Sequence, residues 1–541
     1  MTADAPASLR KDGAGERPFR RVLIANRGEI AVRIIRACRE LGVETVAVHS
    51  DADVHAAHVR MADTAVRLGP APPSESYLRA DAIVDAARTT GADAIHPGYG
   101  FLAERASFAR AVEDAGIAFV GPSSATIAAL GDKLAARRSA SAAGVAVVPG
   151  TLEPAAVDRP DALGAIAQEA ERIGYPLLVK AAAGGGGHGM RRVTSAAELP
   201  AALTAASAEA GSAFGDGTVY LEREIRPARH IEVQLLGDRD RTVVALGERD
   251  CSLQRRHQKL LEESPAPGLT ADERRELHET AVRAARAAGL ENAATAEFLF
   301  DADRRFWFLE VNTRLQVEHG VTELVADIDL VREQLFIAAG RPLSDRIRAA
   351  AERASAPERH AIQARLSAED PARDFAPTPG RIGRWQMPAG PGVRVDTAMS
   401  AGERVPPDYD PLIAKILVVD GDRSAAIGRL RRALEETVVT GIQTTLPFHR
   451  AIASHEGFAE GALSIDWVDD HWAELLRPAR TAALGAARQA AAAAVALTGL
   501  PGGSIAASEL PASLAARDGA PPDGSAWARA GRPMAQRRWP R

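Results

Sequence analysis

Between Phe306 and Glu323 the chain reads FWFLEVNTRLQVEHGVTE. Apolar Phe308, Leu309 and Val311 lead in, and polar side chains then fall at every second position: Glu310, Asn312, Arg314, Gln316 and Glu318. In an extended chain alternate side chains share one face. An extended reading therefore puts two carboxylates, two amides and a guanidinium on one side. An exposed strand also alternates, but Asn and Glu are depleted there in favour of Thr and other β-branched residues. Just upstream, Ala294 to Phe300 is a second strand candidate carrying Glu297, and the turn-like Asp301 to Arg304 joins the two. A hairpin through that turn sets Glu297 beside Glu310. Facing like charges destabilise a strand pair unless a cation lies between them. Mg²⁺ fits, because it typically takes one or two carboxylates together with substrate phosphates. The stretch thus predicts a metal–phosphate site.

At 541 residues the chain is long enough for more than one domain, and 46% hydrophobic residues suffice for buried cores. A net charge of −5 gives no general attraction to nucleic acid or an anionic membrane. The two cysteines, Cys38 and Cys251, are no disulfide framework and suit a reducing cytosol. No apolar run is long enough to span a bilayer. Residues 1–17 lack a signal-peptide core and read as a disordered leader. Of 66 Lys+Arg only five are Lys: Lys11, Lys133, Lys180, Lys259 and Lys415. Lys is a compact point charge and Arg a planar fork. A lysine inside a motif of so Arg-biased a chain is a candidate for a place that needs an ammonium, against chance survival; Lys180 and Lys259 stand beside other signals that favour the former.

In chain order, Val22 to Ala25 reads as a strand, Glu29 to Leu41 as a helix ended by Gly42, and Val43 to His49 as a second strand. Leu78 to Arg88 (helix), Ala92 to His96 (strand) and Phe119-Val120 continue the alternation, which predicts a parallel, doubly wound layer. His96-Pro97-Gly98-Tyr99-Gly100-Phe101 follows a strand end, where such sheets bind ligands, and on local grounds it reads equally as a structural turn or a ligand loop. Tyr175 to Lys180 is a strand, followed by a glycine run from Gly184 to Gly187, then His188-Gly189. Consecutive glycines let backbone N–H groups approach phosphates, so a mobile hairpin over nucleotide phosphates is predicted. Val243 to Gly247 reads as a strand. The following Glu248 to Lys259 (ERDCSLQRRHQK) is too polar for a core, and reads as a solvated helix face unless Gln254, His257 and Lys259 converge on an anion. Ala271 to Ala288 is an amphipathic helix.

These motifs together, IANRGEIAVRIIRACRELG, HPGYGFL, GPSS…GDK, the Lys180 strand with its glycine run, ERDCSLQRRHQK, AEFLF and EVNTRLQVEHGVTE, resemble biotin carboxylase, the ATP-grasp component of biotin-dependent carboxylases. The resemblance runs from about Phe19 to Leu476. It implies an α/β, ATP-grasp fold with a parallel doubly wound N-terminal domain over 18–131, a small lid region over 132–224 and an ATP-grasp and α+β C-terminal domain over 225–476. The Ala-rich segment over 477–541 is expected to be partly helical and then disordered.

Carried over residue by residue, Lys133, Lys180, Gly186, Gly187, Glu222, Ile225, His230, Gln254 and His257 are implied ATP contacts. Glu297, Glu310 and Asn312 are the implied Mg²⁺ (or Mn²⁺) set. Lys259, Arg314, Gln316 and Val317 match the bicarbonate site, and Glu318 the base that deprotonates it. Arg365 matches the residue that stabilises the biotin enolate, and Tyr99 and Gly100 the biotin-side loop. The implied reaction carboxylates biotin with ATP and bicarbonate through carboxyphosphate, as the first half-reaction of an acyl-CoA carboxylase. Residue types agree: a carboxylate near a bound anion can take a proton, and Mg²⁺ with Lys stabilises a transferring phosphoryl.

The chain departs from its relatives at His188, where they carry Arg or Lys, at Ala183, where some carry Gly, and at Gly320, where they carry Pro. The alternatives are another ATP-grasp ligase, such as a carbamoyl-phosphate ligase, and a catalytically inactive nucleotide-binding assembly protein. RRHQK with NTRLQVEH argues against the first, and intact Glu297, Glu310, Lys259, Arg314 and Glu318 against the second. Biotin is carried on a lysine in relatives, and no lysine follows Lys415. The expected partners are therefore a biotin carboxyl carrier protein in trans and a carboxyltransferase subunit, and the expected state is a cytoplasmic homodimer.

Overall fold

The computed structural model describes residues 17–154, 160–182, 190–214, 216–477 and scattered helical positions between 481 and 492. The first layer is a five-stranded, all-parallel sheet. Its central strand Arg21–Ile24 lies between Glu44–Ser50 and Ala94–His96, with Thr64–Gly69 and Ala118–Phe119 at the edges. The helix Gly28–Glu40 buries Ile30, Ile34 and Ile35 on one face, and Gly42 supplies the left-handed φ of +67° that releases the chain into the next strand. The strand order changes direction between Arg21–Ile24 and Ala94–His96, so the loops after them share one crevice. Asn26 closes it: its Nδ2 donates to the carbonyls of Pro97 (2.7 Å) and Tyr99 (2.8 Å).

The second layer is one continuous eight-stranded antiparallel sheet. Its order is Phe306–Asn312, Asn292–Asp301, Ala228–Gly237, Val243–Arg255, Gln258–Ser264, His360–Ser367, Leu412–Asp420 and Val393–Thr397. Along Ala228–Gly237, Ile231, Val233 and Leu235 face a core shared with Leu277, Ala281, Ala284 and Ala285 of the helix Ala271–Ala287. Full burial of each large aliphatic side chain is worth about 1.5–3 kcal/mol. That helix starts at a capping box between Thr270 and Glu273. The opposite face carries His230, Glu232 and Gln234, polar yet buried. A small sheet, Arg191–Val193, Leu177–Ala181 and Val219–Arg223, packs with the helices Pro160–Ile173 and Leu199–Phe214 around Leu177, Val179, Leu203 and Leu221. Among the described residues no helix is long and apolar enough to cross a membrane.

Two sequence expectations are corrected. The polar run after Val243 is no solvated helix: it continues the strand to Arg255, with Glu248, Arg249 and Asp250 each at most 2% exposed. Charge pairing permits this burial, since Glu248 meets Arg274 and His278, Arg249 meets Glu232, and Asp250 meets Arg229. Arg256 and His257, both at positive φ, form the tight hairpin into Gln258–Ser264. The extended reading of 306–318 also fails beyond Asn312. The chain turns there and enters the helix His319–Ala326 with Glu318 at its N-cap. The turn is closed at the Gln316 carbonyl, which accepts from the His319 backbone N–H at 3.3 Å. Arg314, Gln316 and Glu318 therefore sit on a loop, not on one strand face. The strand Thr64–Gly69 and the helices His319–Ala326 and Asp345–Arg353 had no sequence signal strong enough to announce them.

Candidate active site

One rung of the large sheet sets Glu310, Glu297, Glu232 and Arg249 side by side on four adjacent strands. The neighbouring rung carries Asn312, Thr295 and Gln234. Three carboxylates in a row repel one another, and cations from both ends hold them. Arg249, wholly buried, donates to Glu232 (2.5 Å), Gln234 (2.8 Å), Thr322 (2.9 Å) and Thr295 (3.1 Å). Lys259 Nζ reaches Glu232 (2.5 Å), Glu297 (3.0 Å) and Glu318 (2.8 Å). Burial disfavours the Lys259 ammonium, but the three carboxylates outweigh it and hold its pKa well above the ordinary lysine value. Burial likewise opposes ionised Glu297 and Glu318; Lys259 with His230, and Lys259 with Arg365, keep both well below the usual carboxylate range. His230 Nε2 stands 3.2 Å from Glu297 Oε2.

Arg365 spans Glu262 Oε1 (2.5 Å) and Glu318 Oε2 (2.9 Å), so the two cations Lys259 and Arg365 meet on Glu318. Arg314 donates to Glu104 (2.8 Å), Gln316 Oε1 (2.6 Å) and Asn312 Oδ1 (3.3 Å). Gln316 is 3% exposed and its Nε2 has no hydrogen-bond partner among the described residues. A buried amide donor left open costs about 1–3 kcal/mol, and it is the type of group that a small oxyanion would satisfy. Cys251 Sγ lies 4.0 Å from Glu318 Oε1, and burial pushes its thiol far up, which makes it a packed, unreactive group.

Lys180 and Arg137 both pair with Glu222, and Lys133 Nζ lies 3.5 Å from Glu310. Lys133 follows the N-cap Asp132 of its helix. Gln254 is buried opposite Lys259 in the strand register, His257 occupies the hairpin turn, and Ile225 follows Val219–Arg223 half-buried. On the other side, Tyr99 OH donates to Glu29, and Gly100 turns its loop at φ +69°. Val317 contributes its carbonyl to Lys415 Nζ at 3.1 Å. Gly186, Gly187, Ala183 and His188 lie outside the described residues. At Gly320 an added Cβ would stand 2.5 Å from Leu417 Cδ2, so Leu417 fills the room a proline ring would need.

The donors fit a hard cation. Glu297 and Glu310 are register partners, with Asn312 two residues on, and all three offer oxygen. Each carboxylate has an ammonium beside it, Lys259 or Lys133. Among the described residues, two other triplets bring ligand atoms within 4.8 Å, His230 with Glu232 and Glu297, and Glu232 with Cys251 and Glu318. Each of these triplets includes a softer nitrogen or sulfur ligand, His230 or Cys251, which suits Mg²⁺ less well than oxygen alone.

A family model described as biotin carboxylase, N-terminal domain, matches residues 18–127, and one described as biotin carboxylase C-terminal domain matches 363–470. The biotin carboxylase of Pseudomonas aeruginosa is 47% identical over 449 residues, covering 83% of this chain and 98% of that protein. This chain belongs to the biotin carboxylase family. Between the two biotin carboxylase models, residues 132–346 match a model described as carbamoyl-phosphate synthase L chain, ATP binding domain. One pyruvate carboxylase subunit of Methanothermobacter thermautotrophicus is 46% identical, and the match covers 84% of this chain and 90% of that protein. A crystal structure of a biotin carboxylase beta-gamma-ATP complex from Campylobacter jejuni superposes with a TM-score of 0.79 at 42% identity, covering 84% of this chain and 99% of that one. The biotin carboxylase domain dimer of Hydrogenobacter thermophilus 2-oxoglutarate carboxylase, described with MgADP, ADP and bicarbonate, gives the same TM-score and identity, covering 84% and 98%.

Sequence reasoning missed Glu232, Arg249, Glu262 and Glu104. Glu232 was within reach, because His230, Glu232 and Gln234 alternate with apolar residues. Arg249 lay in the run read as solvated, and Glu262 and Glu104 carry no local pattern. In biotin carboxylase terms, Lys259 and Arg365 meet on Glu318, Arg314 joins Gln316 and Asn312, and the Val317 carbonyl turns to Lys415. Lys180 and Glu222 form a second cluster with Arg137, apart from the first in hydrogen bonding.

Proposed function

We propose that the Lys259–Glu318–Arg365 cluster carries the ATP-dependent carboxylation of biotin with bicarbonate, the activity of the family to which the chain belongs. The observation that carries this reading is the meeting of Lys259 and Arg365 on one buried carboxylate beside an open Gln316 donor. Bicarbonate binds between Lys259, Arg314 and Gln316. It takes over part of the Lys259 charge, which frees Glu318 to accept the bicarbonate proton. The resulting oxyanion attacks the γ-phosphorus of ATP, the bond to the ADP oxygen breaks, and carboxyphosphate forms. Glu297, Glu310 and Asn312 would hold Mg²⁺ (or Mn²⁺), which would supply charge stabilisation to the transferring phosphoryl. Lys133, Lys180, Glu222, Ile225, His230, Gln254, His257 and the glycines Gly186 and Gly187 hold the nucleotide. Carboxyphosphate breaks to CO₂ and phosphate, and phosphate takes the ureido N–H proton of biotin. Arg365 stabilises the negative ureido oxygen, the nitrogen attacks CO₂, and Tyr99 and Gly100 line the biotin side.

The whole assembly belongs to the same proposal: a carrier protein that brings biotin in trans, a carboxyltransferase that uses the carboxyl group on an acyl-CoA, a homodimer of this chain, and the cytoplasm. The carrier reading rests on the resemblance to biotin carboxylases, whose biotin is borne by a carrier protein. The dimer reading rests on the Hydrogenobacter thermophilus domain dimer. ATP hydrolysis measured with bicarbonate, with and without free biotin, tests the reaction; bicarbonate-independent hydrolysis alone would exclude it. A streptavidin blot of the purified chain tests the carrier, and a covalent biotin signal would overturn it.

A further inference from the structure

Among the described lysines, Lys415 is the one that the reaction above does not use. It lies on Leu412–Asp420, wholly buried, with Arg365 and Asp396 as its register partners on the two flanking strands. Its Nζ stands 3.1 Å from Glu29 Oε1, 3.5 Å from Asp396 Oδ2 and 3.1 Å from the carbonyl oxygen of Val317. One residue earlier, the Gln316 carbonyl oxygen lies 2.7 Å from His319 Nδ1. Two successive carbonyls of the 313–318 loop are thus each held by a buried side chain.

In a planar trans peptide the C=O and the following N–H point in opposite directions. Holding the Gln316 and Val317 carbonyls against His319 and Lys415 therefore turns the N–H groups of Val317 and Glu318 the other way. No hydrogen bond among the described residues takes either N–H. Gln316 Nε2 is also open. Among the described residues, three consecutive residues thus each carry an N–H donor without a partner, the donor type that a small oxyanion takes. The protonation of His319 fits: burial first, then the Lys415 charge, lowers its pKa to about 3, so the ring is neutral and can carry its one proton on Nδ1.

We propose that Lys415 and His319 are positioning residues that orient the backbone donors of Val317 and Glu318 toward bicarbonate. The geometry also explains why position 415 is Lys. Three acceptors from three directions converge on one point, which an ammonium satisfies and a planar guanidinium does not. Glu29, which also accepts from Tyr99 OH, ties the same anchor to the biotin-side loop.

This inference rests on the proposed bicarbonate role of the loop. The test is steady-state bicarbonate-dependent ATP hydrolysis in Lys415→Met, Lys415→Arg, His319→Leu and His319→Asn, with KM measured separately for bicarbonate and ATP. Misaligned backbone donors are expected to raise the bicarbonate KM about tenfold or more in Lys415→Met, Lys415→Arg and His319→Leu, and to leave the ATP KM within about twofold. Asn places an amide N–H near the Nδ1 position, so His319→Asn is expected to stay within about threefold of wild type. If both KM values rise together, or His319→Asn is as impaired as His319→Leu, the positioning role is overturned. Should Lys415→Met fail to fold, the His319 pair alone decides. A wild-type enzyme whose ATP hydrolysis ignores bicarbonate would instead remove the underlying reading.

Discussion

Glu297 and Glu310 face each other as register partners on adjacent antiparallel strands, and each has a lysine ammonium at its side, Lys259 at 3.0 Å and Lys133 at 3.5 Å. Such a pair is destabilising by itself, and a divalent ion between the carboxylates removes the repulsion. Glu297→Gln and Glu310→Gln are each expected to raise the Mg²⁺ concentration needed for half-maximal ATP hydrolysis by about tenfold or more. Chelation with EDTA is expected to abolish turnover reversibly. Mg²⁺ titrations unchanged in both variants would remove these residues from the metal set.

Glu318→Gln is expected to keep the fold and nucleotide binding but to lose bicarbonate-dependent ATP cleavage by about 10²–10⁴-fold, the usual cost of a lost general base. Nucleotide affinity by calorimetry and turnover by phosphate release separate the two effects. Near-normal turnover would reassign the base.

Lys259→Arg retains the charge and is nevertheless expected to be severely impaired. Nζ makes contacts of 2.5, 3.0 and 2.8 Å to three carboxylates on different elements. A longer planar head cannot replace a point charge at that crossing. Bicarbonate saturation at wild-type concentrations in this variant would refute the point-charge requirement.

Glu323 joins the layers. It pairs with Arg33 (2.9 Å) from the first helix and with Arg394 (2.6 Å) from the last strand of the large sheet. Burial opposes its charge, but Arg33 and Arg394 win and hold its pKa below the usual carboxylate range. The folded state then binds fewer protons than the unfolded state just below the ordinary carboxylate pKa, so the pair stabilises fully above that value and fades as pH falls. Glu323→Gln is expected to cost about 3 kcal/mol near pH 7, since Arg33 keeps Asp329 and Arg394 keeps Asp396. The gap between variant and wild type in urea unfolding should narrow below about pH 4. A gap that is constant down to about pH 3 would refute the linkage.

The hairpin over 292–312 was legible because its apolar positions alternate and a short turn separates its halves, and the turn residues Asp301 to Arg304 lie where expected. The parallel layer was legible for a similar reason: its first strand and helix carry strong periodicity and a glycine stop. What sequence could not disclose is burial of charge. Glu248 to Asp250 look solvated until their partners arrive from Ala228–Gly237 and from the helix Ala271–Ala287, 17, 21 and 26 residues away along the chain. The same holds for the loop after Asn312. Its polar residues keep the period of a strand, while the backbone follows contacts to His319 and Lys415 that no local pattern encodes.

The three carboxylates around Lys259 act as built-in rivals for the anion that the site receives. On the proposed function, bicarbonate would have to displace acceptors that are covalently tethered and already aligned on Lys259. The expected consequence is a lower apparent affinity than the new contacts alone would give.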